Sequence, residues 1–292
     1  MDANLVKRIA FAVVAIPLAL LVVWQGGWVL AALIALVAAL ATRELFAFAH
    51  RHEIRPLAGF GTLSAAALPL LVYWNIRPLG ESGSTADPFH GWAWFLAALW
   101  VVALLAVTLA ARRPGDRPLE AAGITLLGVL YTGALPASLL VIRHAAYPTQ
   151  RWEGAWLVFF PLVITWVVDT AAMFGGRAMQ GPKLWPAISP GKTWSGSVAG
   201  VVGGLVAVPI LNALVLEPLG IALPLRLGLP FALVLGIVGQ AGDLAESLFK
   251  REVGVKDSSA LIPGHGGVLD RFDSLYFVLP CAAAMYRLFG LI

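Results

Sequence analysis

Residues 162–177 read LVITWVVDTAAMFGGR, and the uncharged run before Asp169 extends back at least ten residues. A bilayer core of roughly 30 Å needs about 20 apolar residues per helix, so this segment is a membrane helix carrying an acid near one end. An ionisable group at that depth is costly and marks function by default, although an Asp hydrogen-bonded to a neighbouring helix is the plain structural alternative. Uncharged runs of the same size recur along all 292 residues, of which 60% are hydrophobic. Soluble domains sit at roughly 45 to 50%; with a mean hydropathy of +0.85 the chain reads as an all-α polytopic integral membrane protein. Its pI near 9.5 does not point to nucleic acid, because the basic residues are spread among short loops rather than gathered in a patch.

The apolar runs predict nine spans, at 9–24, 27–49, 57–74, 92–111, 121–142, 155–174, 196–215, 228–249 and 274–291. Nine spans place fifteen Lys and Arg on the side of the N-terminus and five on the other. The positive-inside rule then makes the N-terminus cytoplasmic, and adding or losing one span midway would largely erase the asymmetry. Lys7 and Arg8 before an apolar run resemble a signal peptide, but no small-residue cleavage site closes that run, so the first helix is expected to remain uncleaved. The single Cys281 reads as a small residue of the last span.

Residues 1–150, with about five helices, read as a scaffold whose span interiors are Ala, Leu, Val and Gly, and its long outer loop at 75–91 carries no repeated ligand-type residues. Residues 151–292 read as a catalytic region of about four helices with cytoplasmic loops at 175–195 and 250–273. The first of these contains ISPGKTWSG at 188–196, where Gly191-Lys192-Thr193 superficially suggests a P-loop. That motif needs a glycine where this chain has Pro186, and a strand ahead of it. Pro186 and Pro190 are instead expected to stiffen a turn presenting Ser189, Lys192 and Thr193, with Lys192 suited to phosphate.

The eighth span carries Asp243, Glu246, Ser247 and Lys250 at i, i+3, i+4 and i+7, on one face of the helix. From there the stretch SLFKREVGVKDSSALIPGHGGVLDRFD, 247–273, concentrates Lys250, Arg251, Lys256 and Arg271 with Glu252, Asp257, Asp270 and Asp273, in a chain that is only 12% charged. His265 sits among Gly264, Gly266 and Gly267. Bare backbone of this kind lets a polyanion approach N–H groups. Asp270 and Asp273, three residues apart, lead into the last span, and capping of its first turn is the plain alternative for Asp273.

These residues carry a likeness. Ser247-Leu248-Phe249-Lys250-Arg251, Lys256-Asp257-Ser258-Ser259, Pro263-Gly264-His265-Gly266-Gly267 and Asp270-Arg271-Phe272-Asp273 resemble the signature of the phosphatidate cytidylyltransferases, and Asp169, the ISPGKTW run and Gly242-Asp243-Leu244 resemble the same family. Met173 and Ser195 depart from its pattern beside the motif positions. The resemblance implies an enzyme that joins CTP to phosphatidic acid, giving CDP-diacylglycerol and pyrophosphate with Mg²⁺, in a bacterial inner membrane.

Such a transfer needs alignment and positive charge more than a strong base, because a phosphomonoester with a second pKa near 6 is already mostly ionised at neutral pH. Asp243 and Asp270 are expected to bind Mg²⁺, with Asp273 and Asp169 supporting them or holding a second cation. Lys250, Arg251, Lys256 and Arg271 are expected to receive phosphates, and His265 to donate to one or to fix the glycine loop. Ser247 and Asp257 complete the expected substrate contacts. Two other readings stand beside this one: a CTP-dependent polyprenol kinase, and a transporter using Asp169 and Asp243 as an ion or proton relay. Acyl-chain preference and oligomeric state, a homodimer included, are not set by the sequence.

Overall fold

The computed structural model describes residues 3–76, 92–221, 223–262, 264 and 266–292. His265 and most of the 75–91 loop therefore lie outside the described residues. The apolar runs form helices where their lengths place them: α1 Ala3–Gln25, α2 Gly27–Arg51, α3 Ala58–Ile76, α4 Ala93–Ala111, α5 Pro118–Gly128, α6 Leu135–His144, α7 Trp152–Met179, α8 Trp194–Leu211 and α9 Leu225–Glu252, then the one-turn α10 Leu269–Phe272 and α11 Leu275–Leu288. A π-helical segment, Val129–Ala134, joins α5 and α6 into one span. Among the described residues seven helical segments are long and apolar enough to cross a membrane. The last apolar run forms a helix of 14 residues, about 21 Å at 1.5 Å per residue and shorter than the hydrocarbon core.

The loop expected at 175–195 is shorter and more ordered than the sequence suggests. Helix α7 continues to Met179, past Gly175 and Gly176, and leads into an antiparallel hairpin, β1 Lys183–Trp185 with β2 Ser189–Thr193, rather than a simple turn. Pro186 lies in the connection and Pro190 in β2, where a two-stranded ribbon leaves outward-facing amide positions that proline does not disturb.

The described residues group into two compact units. One comprises residues 3–14, 27–141 and 257–271. Its centre is Ala38, Ala65 and Val129, with Leu68 and Trp100 packed against them. Small side chains let these helices approach closely, and Thr42 and Thr132 hydrogen-bond across them at 2.6 Å. At one end Arg112 donates to the carbonyls of Arg55 and Pro56, and Arg117 to that of His52, so these basic residues also tie connections together.

The other unit comprises residues 15–26, 142–256 and 272–292. Gly196, Gly200 and Gly204 recur every fourth residue on α8 against α7; a Cβ at Gly196 would lie 2.7 Å from the Ala172 carbonyl oxygen, and one at Gly200 2.9 Å from that of Val168. The end of α1 is held by Arg143, which is wholly buried and donates to the carbonyls of Val23 and Trp24 at 2.7 Å and of Pro148 at 3.0 Å. These groupings differ from halves divided at residue 150. The reason is local bonding: Arg143 draws the end of α1 into the second unit, and Glu44 of α2 draws residues 257–271 into the first.

Candidate functional site

In the second unit, α7, α8, α9 and the hairpin enclose a cavity of about 860 Å³. Asp169 and Asp243 line it together with Arg177, Lys183, Lys192 and Gln240. The cavity exists because α7 runs beyond its glycines and the hairpin folds back over it. Thr193 closes β2 and caps α8, its hydroxyl accepting from the amide of Gly196 at 3.1 Å. One residue earlier, Lys192 places Nζ 2.6 Å from Oδ2 of Asp243. Ser189, also on β2, pairs with Trp185 at the far end of the hairpin.

The polar stripe of α9 forms as its spacing predicts. Ser247 Oγ donates to Asp243 Oδ1 at 3.3 Å, and Lys250 Nζ lies 3.0 Å from Glu246 Oε1. Glu246, Ser247 and Lys250 are all buried, so the ammonium of Lys250 is matched within its own helix. Arg251 turns the other way, donating to the carbonyls of Ile188 and Val255 and so fixing the hairpin connection to the end of α9. Lys256 is exposed.

Gly242 brings the third carboxylate in. A Cβ there would fall 2.7 Å from the carbonyl oxygen of Asp273, so α9 touches the turn before α11 backbone to backbone. Asp273 Oδ1 accepts from the amide of Ser274 at 2.6 Å, a bond to the adjacent residue rather than a cap on the second or third amide of α11. Burial, and then the charge of Asp243, push the Asp273 carboxyl up to about 6.

In the first unit, Asp270 and its neighbours are organised by carboxylates. Asp270 Oδ2 accepts from Ser258 N and Ser258 Oγ at 2.7 Å and from Gly267 N at 2.8 Å. Gly264 and Gly266 hold φ of +75° and +81°, a conformation that glycine adopts without strain. Ile262 donates to the Gly266 carbonyl and closes the loop. The amide of Gly267 is thus given to Asp270. Asp257 and Arg271 are exposed beside this segment.

Glu44 belongs to the helices whose interiors read as bland, and sequence reasoning did not single it out. It lies on α2, is buried, and accepts from Ser258 Oγ, Ser259 Oγ and the amides of Val268 and Leu269 at 2.7 to 3.0 Å. A signal for it exists in the sequence, since Glu44 falls inside the expected second span, and the rule that singles out Asp169 applies to it equally.

The donor set suits a hard divalent ion. Asp169 and Asp243 present carboxylate oxygens to one cavity, and a cation already stands on Asp243 in the form of the Lys192 ammonium. Among the described residues no group of three or more His, Cys, Asp or Glu side chains is placed to hold a metal ion together. Mg²⁺ does not require one, because it commonly takes one or two carboxylates and completes its shell with water and substrate phosphate.

Comparison with known proteins gives a consistent answer. The model of the cytidylyltransferase family matches residues 6–289. A phosphatidate cytidylyltransferase of Brucella suis biovar 1 is 37% identical over 246 residues, covering 79% of this chain and 84% of the relative. One of Staphylococcus saprophyticus is 33% identical over 273 residues, covering 94% of this chain and 95% of the relative.

Proposed function

The chain belongs to the cytidylyltransferase family, and on that premise we propose that it is a phosphatidate cytidylyltransferase of a bacterial inner membrane with its site facing the cytoplasm. The observation that carries the chemistry is the cavity in which Asp169 and Asp243 face Arg177, Lys183 and Lys192. Carboxylates for a cation and cations for phosphates in one chamber at a membrane helix end suit the joining of two phosphate-bearing substrates. A proton or ion relay would leave those three cations without a role, and neither that reading nor a polyprenol kinase is favoured by the family match.

In the reaction a phosphatidate oxygen attacks the α-phosphorus of CTP, and the bond from that phosphorus to the bridging oxygen breaks, releasing pyrophosphate. Asp243 and Asp169, with Asp273 in support, would hold Mg²⁺, which when bound supplies positive charge to offset the repulsion between the two anions. Arg177, Lys183 and Lys192 bind and orient the lipid phosphate, which reaches the chamber from the bilayer. Segment 257–271 receives the phosphates of CTP from the aqueous side through its exposed Arg271. Orientation rests on the fifteen-to-five division of Lys and Arg, and the bacterial setting on the organisms of the relatives.

The test is to incubate purified protein with phosphatidic acid, Mg²⁺ and CTP labelled at the α-phosphate. Label in the lipid product supports cytidylyl transfer. Lipid labelled only from the γ-phosphate would overturn it in favour of a kinase. Asp243→Asn in folded protein is expected to lower turnover by at least about a hundredfold, the scale of losing a preorganised electrostatic contact to the reacting groups.

A further inference from the structure

Glu44 is the least expected acid in the chain. It sits on a membrane helix between Arg43 and Leu45, and its carboxylate is buried. Burying a carboxylate costs several kcal/mol unless its oxygens are well matched, and here both oxygens are. Oε1 accepts from Ser259 Oγ at 2.7 Å and Val268 N at 3.0 Å; Oε2 accepts from Ser258 Oγ at 3.0 Å and Leu269 N at 2.7 Å. All four donors come from a segment more than two hundred residues away in sequence.

The same segment is built around this carboxylate. A Cβ at Gly267 would collide with Ser258 Oγ and lie 2.5 and 2.6 Å from the two oxygens of Glu44, so Ser258 and Glu44 together leave room only for glycine there. Ser258 Oγ touches both Glu44 and Asp270. Its single hydrogen serves one of them at a time, and the amides of residues 267–269 hold the two acids side by side. The placement of residues 258–259 and 267–269 is therefore set by an anion supplied from α2.

We infer that Glu44 is a positioning residue: it holds segment 257–271 in the shape that binds CTP. The inference rests on the proposed assignment of that segment to CTP. Glu44 does not touch the substrate; it acts through Ser258, Ser259 and the backbone of Val268 and Leu269. A neutral amide in its place has one acceptor oxygen where the carboxylate has two, and so leaves at least one backbone N–H of the segment unmatched.

The test uses full-length protein in detergent and the variant Glu44→Gln. The expected result is a rise of about tenfold or more in KM for CTP, with KM for phosphatidic acid within about twofold of wild type. Ser259→Ala, which removes one of the four donors and leaves the acid in place, is expected to raise KM for CTP less but in the same direction. It serves as the test if Glu44→Gln does not fold. A residue that only stabilised the fold would lower the amount of active enzyme and leave both KM values alone, and that result would overturn the inference. Wild-type protein that transfers no α-label from CTP to lipid would instead overturn the parent assignment. Wild type that does, with KM for CTP unchanged in the folded variants, removes the role of Glu44 alone.

Discussion

Lys192 Nζ lies 2.6 Å from Oδ2 of Asp243, so a cation on the hairpin is seated on a carboxylate of α9. Both side chains are partly exposed, at 26% and 32%, and exposed pairs contribute about 0 to 1 kcal/mol. The contact therefore matters little for stability and much for what the cavity holds. Lys192→Met is expected to leave the thermal midpoint within about 3 °C of wild type, while kcat/KM falls by about a hundredfold through loss of a phosphate partner. Thermal unfolding and steady-state rates on one preparation check this. Near-normal turnover would make Lys192 an orientation charge only.

Gly242 is the point at which α9 meets the turn before α11. Gly242→Ala places a methyl 2.7 Å from the Asp273 carbonyl oxygen, against backbone that cannot swing aside. Overpacking of this kind costs about 1 to 3 kcal/mol, and it separates Asp243 from Asp273, so lower stability and lower turnover are expected together. Gly123→Ala on α5 meets nothing within 4 Å and is the control: unchanged or slightly raised stability is expected, measured by the same unfolding assay.

Asp273 supplies a pH dependence whose direction is set by the raised carboxyl. The folded protein binds this proton more tightly than the unfolded chain, because burial and the charges of Asp243 and Asp169 outweigh the opposing hydrogen bond from the Ser274 amide and the ammonium of Lys250. Its contribution to stability is present below the ordinary carboxylate range and is lost as pH rises through about 6. The thermal midpoint of wild type, compared between pH 4.5 and 7.5 without divalent cations, should fall relative to that of Asp273→Asn. Parallel curves for the two proteins would contradict the assignment.

Arg143 tests the structural role of a buried cation. It donates to three backbone carbonyls, two of them at the end of α1. Arg143→Met is expected to cost about 3 kcal/mol or more, since buried acceptors then lose charged donors. Turnover per folded molecule should stay near wild type, as Arg143 lies among the residues that close α1 and not in the lining of the cavity. Measured stability close to wild type would show that other donors take over.

Much of this molecule is legible from hydropathy and helical spacing because both are local. The bounds of α2 to α4 fall within a few residues of the apolar runs, since a chain in lipid must satisfy its backbone within each helix. The α9 stripe can be read in the same way, because residues three, four and seven apart share a face whatever surrounds them. The hairpin cannot: ISPGKTWSG has no strand-like alternation, and its pairing with residues 183–185 depends on where α7 ends. Gly267 reads as bare backbone open to a polyanion, which is physically sound, yet Asp270 takes its amide, and Ser258 and the carboxylate of Glu44 fill the space beside it.

The amino-acid order alone was enough for the predominantly helical membrane architecture and the motif residues that carry the family likeness. Those are properties of composition and of spacings within a few turns of one helix. Which acids share a chamber, that Lys192 rests on Asp243, and that Glu44 reaches Ser258, Ser259, Val268 and Leu269 were decided by packing. Such contacts join residues tens to hundreds of positions apart, and the glycines at 196, 200 and 242 set how closely the helices approach. Backbone-to-backbone distances of that kind are a property of the assembled helices, and no single segment contains them.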